Sequence, residues 1–389
     1  MIDLVLGALA LPALCVSGYL FFLAVCSRRR TAPAPAWPAL RFDLVVPAHD
    51  EEAGIARTVR SLLAVDYPRG LRRVLVVADN CTDQTAARAR AAGAEVLVRD
   101  EPALRGKGYA LAHAFGHSLR QDFADAVVVV DADSVVPPNL LHAFAARLSQ
   151  GAQAVQAGSA VLNANDSWRT QLMALGFALF NRVRSLAREN LGLSCGLRGN
   201  GMCLSAALLR AHPAQAFSLV EDLEYGLALG RAGVRVHYAD ETSVASVMVS
   251  SRAAAGSQRR RWELGRFALA RRLALPLLRE SAQTSSGLLL DLALDLLVPP
   301  LSLVVLYLAL GLAVSAVATG FSGAFLLWLS SVALVAVYVV RGWALSGIGL
   351  RGLGALLQIP RYVLWKTLLV WKSSDASGWV RTAREEPWP

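Results

Sequence analysis

The sequence predicts an α/β protein with a mainly parallel sheet, flanked by transmembrane and interfacial helices. Three observations predict it. Between Arg41 and about Arg279, short apolar runs alternate with helical patterns, which is the mark of βαβ units. Leu4 to Cys26 is 23 residues without a charge, and Leu296 to Val340 is 45. Only 17% of the 389 residues are charged and 55% are hydrophobic, whereas a soluble domain carries roughly 25% charged residues.

A helix crosses a bilayer in about 20 apolar residues. Residues 1–27 therefore read as one transmembrane helix, and 291–341 as two. Thr319-Gly320-Phe321-Ser322-Gly323 is the expected turn between them. Asp3 precedes the first run and Arg28-Arg29-Arg30 follow it. That order is the reverse of a cleaved signal peptide. The positive-inside rule then places the N-terminus outside and the following domain in the cytoplasm. The expectation is a multi-pass protein of the cell's inner (plasma) membrane. Residues 28–40 are basic, then proline-rich, and read as a stiff linker. Residues 342–389 mix apolar residues with Arg351, Arg361, Lys366 and Lys372, and Pro360 breaks them. They are expected to lie on the membrane surface and end in a tail. A further span from Leu345 to about Val370 stays open.

The net charge is +10. Lysine occurs only at 107, 366 and 372, so 36 of the 39 basic residues are arginine. From Arg252 to Arg279 eight arginines face one acid, Glu263. Such a segment ahead of a span suits anionic membrane lipids. No nucleic-acid motif accompanies it, so nucleic acid is not an expected partner. The five cysteines match no zinc spacing and read as structural. Asp291 and Asp295 lie four apart ahead of Pro299-Pro300, and the sequence offers no account of them.

The domain of residues 41–250 is justified strand by strand. Leu44-Val45-Val46 is a strand, and Glu51 to Leu63 a helix. Val74 to Val77 and Thr82 to Ala92 repeat the pair, and Val96-Leu97-Val98 and Lys107 to Arg120 repeat it again. Val127 to Val130 follows. Continuous apolar runs suit strands covered on both faces. Ligands of such sheets bind beyond the carboxyl ends of the strands. Three of the four strand ends carry polar clusters: Pro47-Ala48-His49-Asp50-Glu51-Glu52, Asp79-Asn80-Cys81-Thr82-Asp83 and Asp131-Ala132-Asp133. Helix capping accounts for Asp83 and in part for Asp50. It accounts poorly for Asp131 and Asp133, because Pro137-Pro138 can start the next helix.

Two carboxylates at i, i+2 on a strand end can point into one crevice, and two close ionised carboxylates are unfavourable unless a cation joins them. Mg²⁺ and Mn²⁺ prefer a few carboxylates plus phosphate oxygens. The pair thus points to a metal shared with a phosphorylated ligand. Downstream, Glu221, Asp222 and Glu224 gather near a helix start. Gln258-Arg259-Arg260-Arg261-Trp262, within 251–290, sets a Trp beside an arginine cluster. Arginine grips phosphate bidentately.

Taken in order, these clusters and Arg105-Gly106-Lys107-Gly108 resemble the family 2 glycosyltransferases. The likeness is to their membrane-embedded branch, relatives of the cellulose, chitin and hyaluronan synthases. The resemblance covers Arg41 to about Arg279 and the flanking spans. It implies a GT-A (Rossmann-like) cytoplasmic domain and an inverting transfer from a nucleotide-sugar donor, UDP-linked by expectation. The acceptor is a hydroxyl of a growing glycan or lipid-linked molecule in cell-surface polysaccharide synthesis.

The resemblance also assigns roles. Asp222 is the catalytic base. Pro47, Glu51, Asp79, Lys107, Asp131 and Arg261 bind the nucleotide sugar, with Asp79 toward the base. Asp131 and Asp133 hold Mg²⁺ or Mn²⁺. Gly199, Asn200, Gln258 and Trp262 line the acceptor site. Two departures stand out. Asp-Asp-Gly-Ser is here Ala78-Asp79-Asn80-Cys81, which puts the nucleotide preference in doubt, and Val220-Glu221-Asp222 replaces the commoner Thr-Glu-Asp. The rival reading is a non-catalytic membrane nucleotide sensor or assembly partner on a decayed transferase fold. Whether transfer is processive, and whether the chain forms a homo-oligomer or joins export partners, stays open.

Overall fold

The computed structural model describes residues 1–34, 37–248 and 252–363; of these, 252–261, 351 and 353 are described by backbone alone. In chain order the elements are α1 (Ile2–Cys26), β1 (Phe42–Ala48), α2 (Ile55–Leu63), β2 (Arg72–Asp79), α3 (Thr85–Ala91), β3 (Glu95–Arg99) and α4 (Lys107–Gln121). There follow β4 (Ala126–Val129), β5 (Ser134–Val135), α5 (Leu140–Leu148), β6 (Ala154–Val161), α6 (Trp168–Phe177), α7 (Arg184–Leu191), β7 (Met202–Ser205) and α8 (Ala206–Ala211). The rest are α9 (Glu221–Arg231), β8 (Val236–Ser246), α10 (Arg252–Thr284), α11 (Gly287–Leu297), α12 (Leu301–Thr319), α13 (Gly323–Ser346) and α14 (Arg351–Leu356).

The strands form one mixed, mostly parallel sheet in the order β3-β2-β1-β4-β7-β6-β8-β5. The pairs β1–β2, β1–β4, β2–β3 and β6–β8 are parallel. Strand β7 runs antiparallel between β4 and β6. The apolar runs are buried on both faces because side chains alternate along a strand. Val45, Leu75 and Val127 enter one core with α4, α6 and α7. Leu44, Val46, Val74 and Val128 enter the other with α2 and α5.

The expected strands and the parallel half are present. The second half differs, since β6, β7 and β8 build an antiparallel and parallel mixture that the alternating pattern did not predict. Helices α2 and α3 start later than expected, whereas α4 starts at Lys107 as expected. The chain at Glu51-Glu52 is held instead by the neighbouring loop: Glu51 N donates to Thr85 Oγ1 at 2.7 Å and Glu52 N to Asp83 Oδ2 at 3.1 Å. Helix α5 likewise begins at Leu140, after Pro137-Pro138, because the Pro138 carbonyl accepts from Asp66 N across the sheet edge.

Among the described residues, three helices are long and apolar enough to cross a membrane: α1, α12 and α13. The turn between the last two falls where expected, with Gly320 at φ 63° and Ser322 capping Phe325 N. The apolar run itself is split, because Pro299-Pro300 separates α11 from α12. One face of the sheet carries α1 and α13, since Leu20, Ala24, Tyr338 and Leu345 join the core of β1 and β4. A Cβ on Gly342 would lie 2.3 Å from Leu179 Cδ2, so glycine lets the Leu179 side chain pack directly onto α13. Residues 364–389, most of the expected interfacial tail, lie outside the described residues.

The unexplained Asp291 and Asp295 fall on α11 and are buried. Asp291 bonds Arg188 Nε at 2.7 Å and Tyr19 Oη at 2.7 Å. Asp295 bonds Arg184 at 2.9 Å and Arg188 at 2.9 Å, and pairs with Arg266 at 3.6 Å. Arg184 Nε also donates to Tyr338 Oη on α13. One ionic hub thus ties α7, α10 and α11 to two apolar helices. Removing one member of a buried pair costs about 3–5 kcal/mol. Arg188→Met is expected to lower stability by that order. Combining it with Asp291→Leu should recover part of the loss, as read by thermal unfolding in detergent.

Candidate active site

Strands β1, β2 and β4 are neighbours, so their carboxyl ends bring three polar clusters to one edge of the sheet. Above that edge lies a cleft of about 460 Å³. Pro47, Glu51 and Asp79 line it at the β1 and β2 ends. Lys107, Asp131 and Asp133 line it at the centre. Gly199, Asn200, Asp222 and Trp262 close it from the other side. The side chains of Gln258 and Arg261 lie outside the described residues.

Asp79 is buried and bonds Arg99 Nη1 at 2.5 Å, while Asn80 Nδ2 donates to the same oxygen at 3.1 Å. Arg99 also donates to the Leu104 carbonyl at 2.9 Å. The end of β2 therefore presents an Asp–Arg pair. The capping expectation is not met at Asp83: Gln84 is the N-cap of α3, and Asp83, one residue earlier, accepts from Thr85 N through Oδ1 at 2.9 Å. Asp50 serves the neighbouring loop instead, accepting from Thr82 N at 2.7 Å. Asp50, Cys81 and Asp83 come within 4.8 Å of one another, but backbone N–H groups engage both carboxylates. This cluster is a latch between two loops.

Lys107 opens α4, and its ammonium sits at the centre of the cleft. Nζ donates to Asp131 Oδ1 and to the Gly199 carbonyl, each at 2.5 Å, and lies 4.0 Å from Glu221 Oε1. Burial alone would lower its pKa. Asp131, Glu221 and Asp222 outweigh that and hold it above the ordinary lysine value. Opposite it, α9 begins with Glu221-Asp222. Burial first, then the neighbouring Asp222, pushes Glu221 up to about 7. Burial also raises Asp222, and Lys107 opposes the rise.

The loop from Arg198 to Gly201 is shaped to meet these groups. Gly199 has φ 77°, and a Cβ there would stand 3.0 Å from Asp222 Oδ2. Asn200 Oδ1 accepts from Asp131 N at 3.1 Å, and its Nδ2 donates to Ser134 Oγ at 2.8 Å. Asp133 is partly exposed and its Oδ1 accepts from Ser134 Oγ at 3.2 Å. Gln156, fully buried, holds the loop by its backbone: Nε2 donates to the Asn200 carbonyl at 2.7 Å and Oε1 accepts from Arg198 N at 2.8 Å.

The family described as "Glycosyltransferase like family 2" matches residues 38–265, which span every described group of the cleft except Arg266. The chain belongs to that family. Among curated relatives, the beta-monoglucosyldiacylglycerol synthase of Synechocystis is 29% identical over 61% of this chain and 50% of its own. An N-acetylglucosaminyltransferase of Rhizobium meliloti is 28% identical over 70% of this chain and 68% of its own. Cellulose synthase 2 of Novacetimonas hansenii is 32% identical over 32% of this chain but only 8% of its own length. The chain thus spans about half the length of the first of these relatives. Among solved structures, the mannosyltransferase PcManGT from Pyrobaculum calidifontis, in complex with GDP-Man and Mn²⁺, superposes with a TM-score of 0.57 over 94% of this chain and 99% of its own at 19% identity. The likeness establishes the GT-A-type fold of this glycosyltransferase.

Several groups at the site escaped sequence reasoning. Arg99, Arg198 and Phe180 belong to none of the clusters singled out, and Arg266 stood out only as one of the eight arginines between Arg252 and Arg279. Gln156 did leave a signal, as a lone amide within the apolar run Ala154 to Ala157.

The raised carboxyl at Glu221 has a definite linkage. A group that binds its proton more tightly folded than unfolded adds stability below its unfolded pKa and loses it as pH rises through the folded one. Here that window runs from about 4.5 to about 7. Glu221→Gln should therefore flatten the fall in thermal stability across that window, measured on the purified chain from pH 4.5 to 8.

Proposed function

We propose that this family 2 transferase moves a sugar from a nucleoside-diphosphate donor, UDP-linked in the first instance, to an acceptor hydroxyl with inversion. The acceptor is a growing glycan or lipid-linked molecule in cell-surface polysaccharide synthesis. One observation carries the reading: Lys107 bridges Asp131 at the strand end and the Glu221-Asp222 pair at the start of α9. A phosphate site and a proton acceptor thereby share one cleft.

Asp131 and Asp133 offer hard oxygen donors at the cleft, the chemistry that suits Mg²⁺ or Mn²⁺. When bound, such an ion offsets the negative charge that develops on the leaving diphosphate. The chain's own groups do the rest. Lys107 stands beside Asp131 and adds positive charge there. The Asp79–Arg99 pair faces the nucleobase. Trp262, with Phe177 at 6.4 Å between ring centroids, forms the platform for the acceptor, and Gly199 and Asn200 shape the wall beside it. Arg261 and Gln258 are assigned to the diphosphate and the acceptor. Asp222 takes the proton from the acceptor hydroxyl as its oxygen attacks the anomeric carbon. The bond to the diphosphate breaks on the opposite face, so an α-linked donor yields a β-linkage.

The relatives support this reading: one bears the name of a lipid glucosyltransferase, another that of a polymer synthase, and the mannosyltransferase structure holds a nucleotide sugar with Mn²⁺. The N-terminus lies outside and the catalytic domain in the cytoplasm, where nucleotide sugars are made.

Two substitutions separate the carboxylates. Asp133→Asn should weaken Mn²⁺-dependent donor binding, because a neutral amide is a poorer ligand for a hard dication. Asp222→Asn should leave that binding nearly intact and cut turnover about 10²–10⁴-fold, as loss of a general base does. Calorimetry with UDP- and GDP-sugars, with nucleotide release measured in parallel, reads both. Equal loss of donor binding in the two variants would move Asp222 into the metal site. Binding without turnover by the unaltered chain, across a panel of donors and acceptors, would favour the non-catalytic sensor.

A further inference from the structure

The cleft has a second end that the reaction above leaves unused. Between α6 and α7 the backbone widens into a π-helical turn, Ala178–Val183. π-Helical turns concentrate at functional sites. This one presents Phe180 to the cleft, and guanidinium groups surround the ring. Arg198 lies 4.3 Å from its centroid, Arg184 5.0 Å and Arg266 5.5 Å. Arg198 and Arg266 line the cleft together with Phe180 and Trp262.

The charges at this end do not balance. Arg184, Arg188, Arg198 and Arg266 gather there against Asp291 and Asp295 among the described residues. Asp291 and Asp295 are spanned by Arg184 and Arg188, while Arg266 pairs with the Asp295 carboxylate at 3.6 Å and donates Nη2 to the Asp295 backbone carbonyl. Arg198 hydrogen-bonds a carbonyl, that of Cys195. The nearby carboxylate at the cleft, Asp222, attracts it only across space. Arg198 Nε and Arg266 Nη1 are each buried with no hydrogen-bond partner among the described residues. Burial holds both guanidinium groups below the ordinary arginine pKa, each partly offset by Asp295. A buried guanidinium with an N–H left unpaired is costly, and an anion that accepts from it removes that cost. Arginine's planar fork matches a phosphate oxygen pair.

We infer that Arg198 and Arg266 form an acceptor-side anion subsite for the phosphate of a membrane lipid headgroup, which places the headgroup's hydroxyl toward Asp222. This rests on the transferase reading and names its acceptor class as an anionic, hydroxyl-bearing phospholipid. The position of the subsite argues for a lipid over a free anion. Asp295, which pairs with Arg266, lies on α11 six residues before α12, and Arg184 reaches Tyr338 on α13. The basic end therefore adjoins the helices apolar enough to cross a membrane, and the acidic end lies away from them over the strand ends. Phe180 and Trp262 supply apolar surface beside the phosphate.

The test uses the full chain in neutral detergent and two soluble probes that differ in the phosphate-bearing headgroup, dihexanoyl phosphatidylglycerol and dihexanoylglycerol. Calorimetry should show the phosphatidyl probe binding at least tenfold more tightly, and inorganic phosphate binding more weakly than that probe. Arg198→Met and Arg266→Met should each remove most of the preference, and Arg198→Lys should keep part of it. UDP- or GDP-sugar affinity with Mn²⁺ should stay within about twofold in these variants, which also reports that they fold. Equal affinity for the two lipid probes would overturn the proposal, as would a preference that survives both methionine substitutions. Nucleotide affinity falling in step with lipid affinity would assign the arginines to the donor and sink it too. Inorganic phosphate binding as tightly as the phosphatidyl probe would remove the lipid assignment. Failure of the unaltered chain to bind any nucleotide sugar with Mn²⁺ is a separate result and strikes the transferase reading itself.

Discussion

The ammonium of Lys107 is what allows acids from two distant parts of the chain to face one another. Asp131 ends β4, while Glu221 and Asp222 begin α9 some ninety residues later. Brought together without a cation, these carboxylates would repel and take up protons. Lys107 lies between them, bonded to Asp131 and to the Gly199 carbonyl, so the strand edge, the 198–201 loop and α9 converge on one charge. The opposing shifts have this common origin: the acids hold the lysine's proton, and burial raises the two α9 acids against the lysine's pull.

A second ionic centre holds the sheet to the apolar helices. Arg184 and Arg188 come from the turn of helix after Phe180, and Asp291 and Asp295 come from α11. Spaced four apart, both pairs occupy one helical face, so two adjacent ionic contacts lock the register of α7 against α11. Tyr19 and Tyr338 extend the contact to α1 and α13. Helix α10 is bound into the same centre through Arg266, one turn beyond Trp262. The placement of the Trp beside the cleft therefore depends on where the membrane-side helices stand.

The strands of the first half were legible because each is a continuous apolar run that ends in acids, and the parallel crossover brings such ends together. The local pattern carries that information. It carries less for β6 to β8, where Gln156, Ser159 and Ser243 interrupt the apolar character and pairing joins segments far apart in sequence. Asp291 and Asp295 were visible as an oddity and opaque in meaning. Their partners lie more than a hundred residues earlier, and nothing local marks Arg184 and Arg188 among so many arginines. Helix starts were misplaced for a related reason. Asp83 spends an oxygen on Glu52 N, a contact between loops that no pattern along one of them reveals. The six motif clusters named the cleft, but the groups that shape it, Gln156 and Arg99, act on backbone or on other motif residues.

The two ionic centres also constrain one another. The cleft carries acids at Asp131 and Asp133 and a basic end at Arg198 and Arg266, and Asp222 feels both Lys107 and Arg198. In the proposed reaction a metal-bound donor sits at the acids and an acceptor at the basic end. The base must be ionised when the acceptor hydroxyl arrives. Lys107 and Arg198 both favour that form against burial. Closing the cleft over substrates deepens burial and works against it, so the flanking cations must retain enough field at Asp222 to keep it a carboxylate. An acceptor anion on Arg198 would weaken that field, and a dication at Asp131 and Asp133 would strengthen it. By linkage, the effect of the ion on the acceptor equals the effect of the acceptor on the ion. An anionic acceptor and the dication therefore each bind more tightly when the other is present.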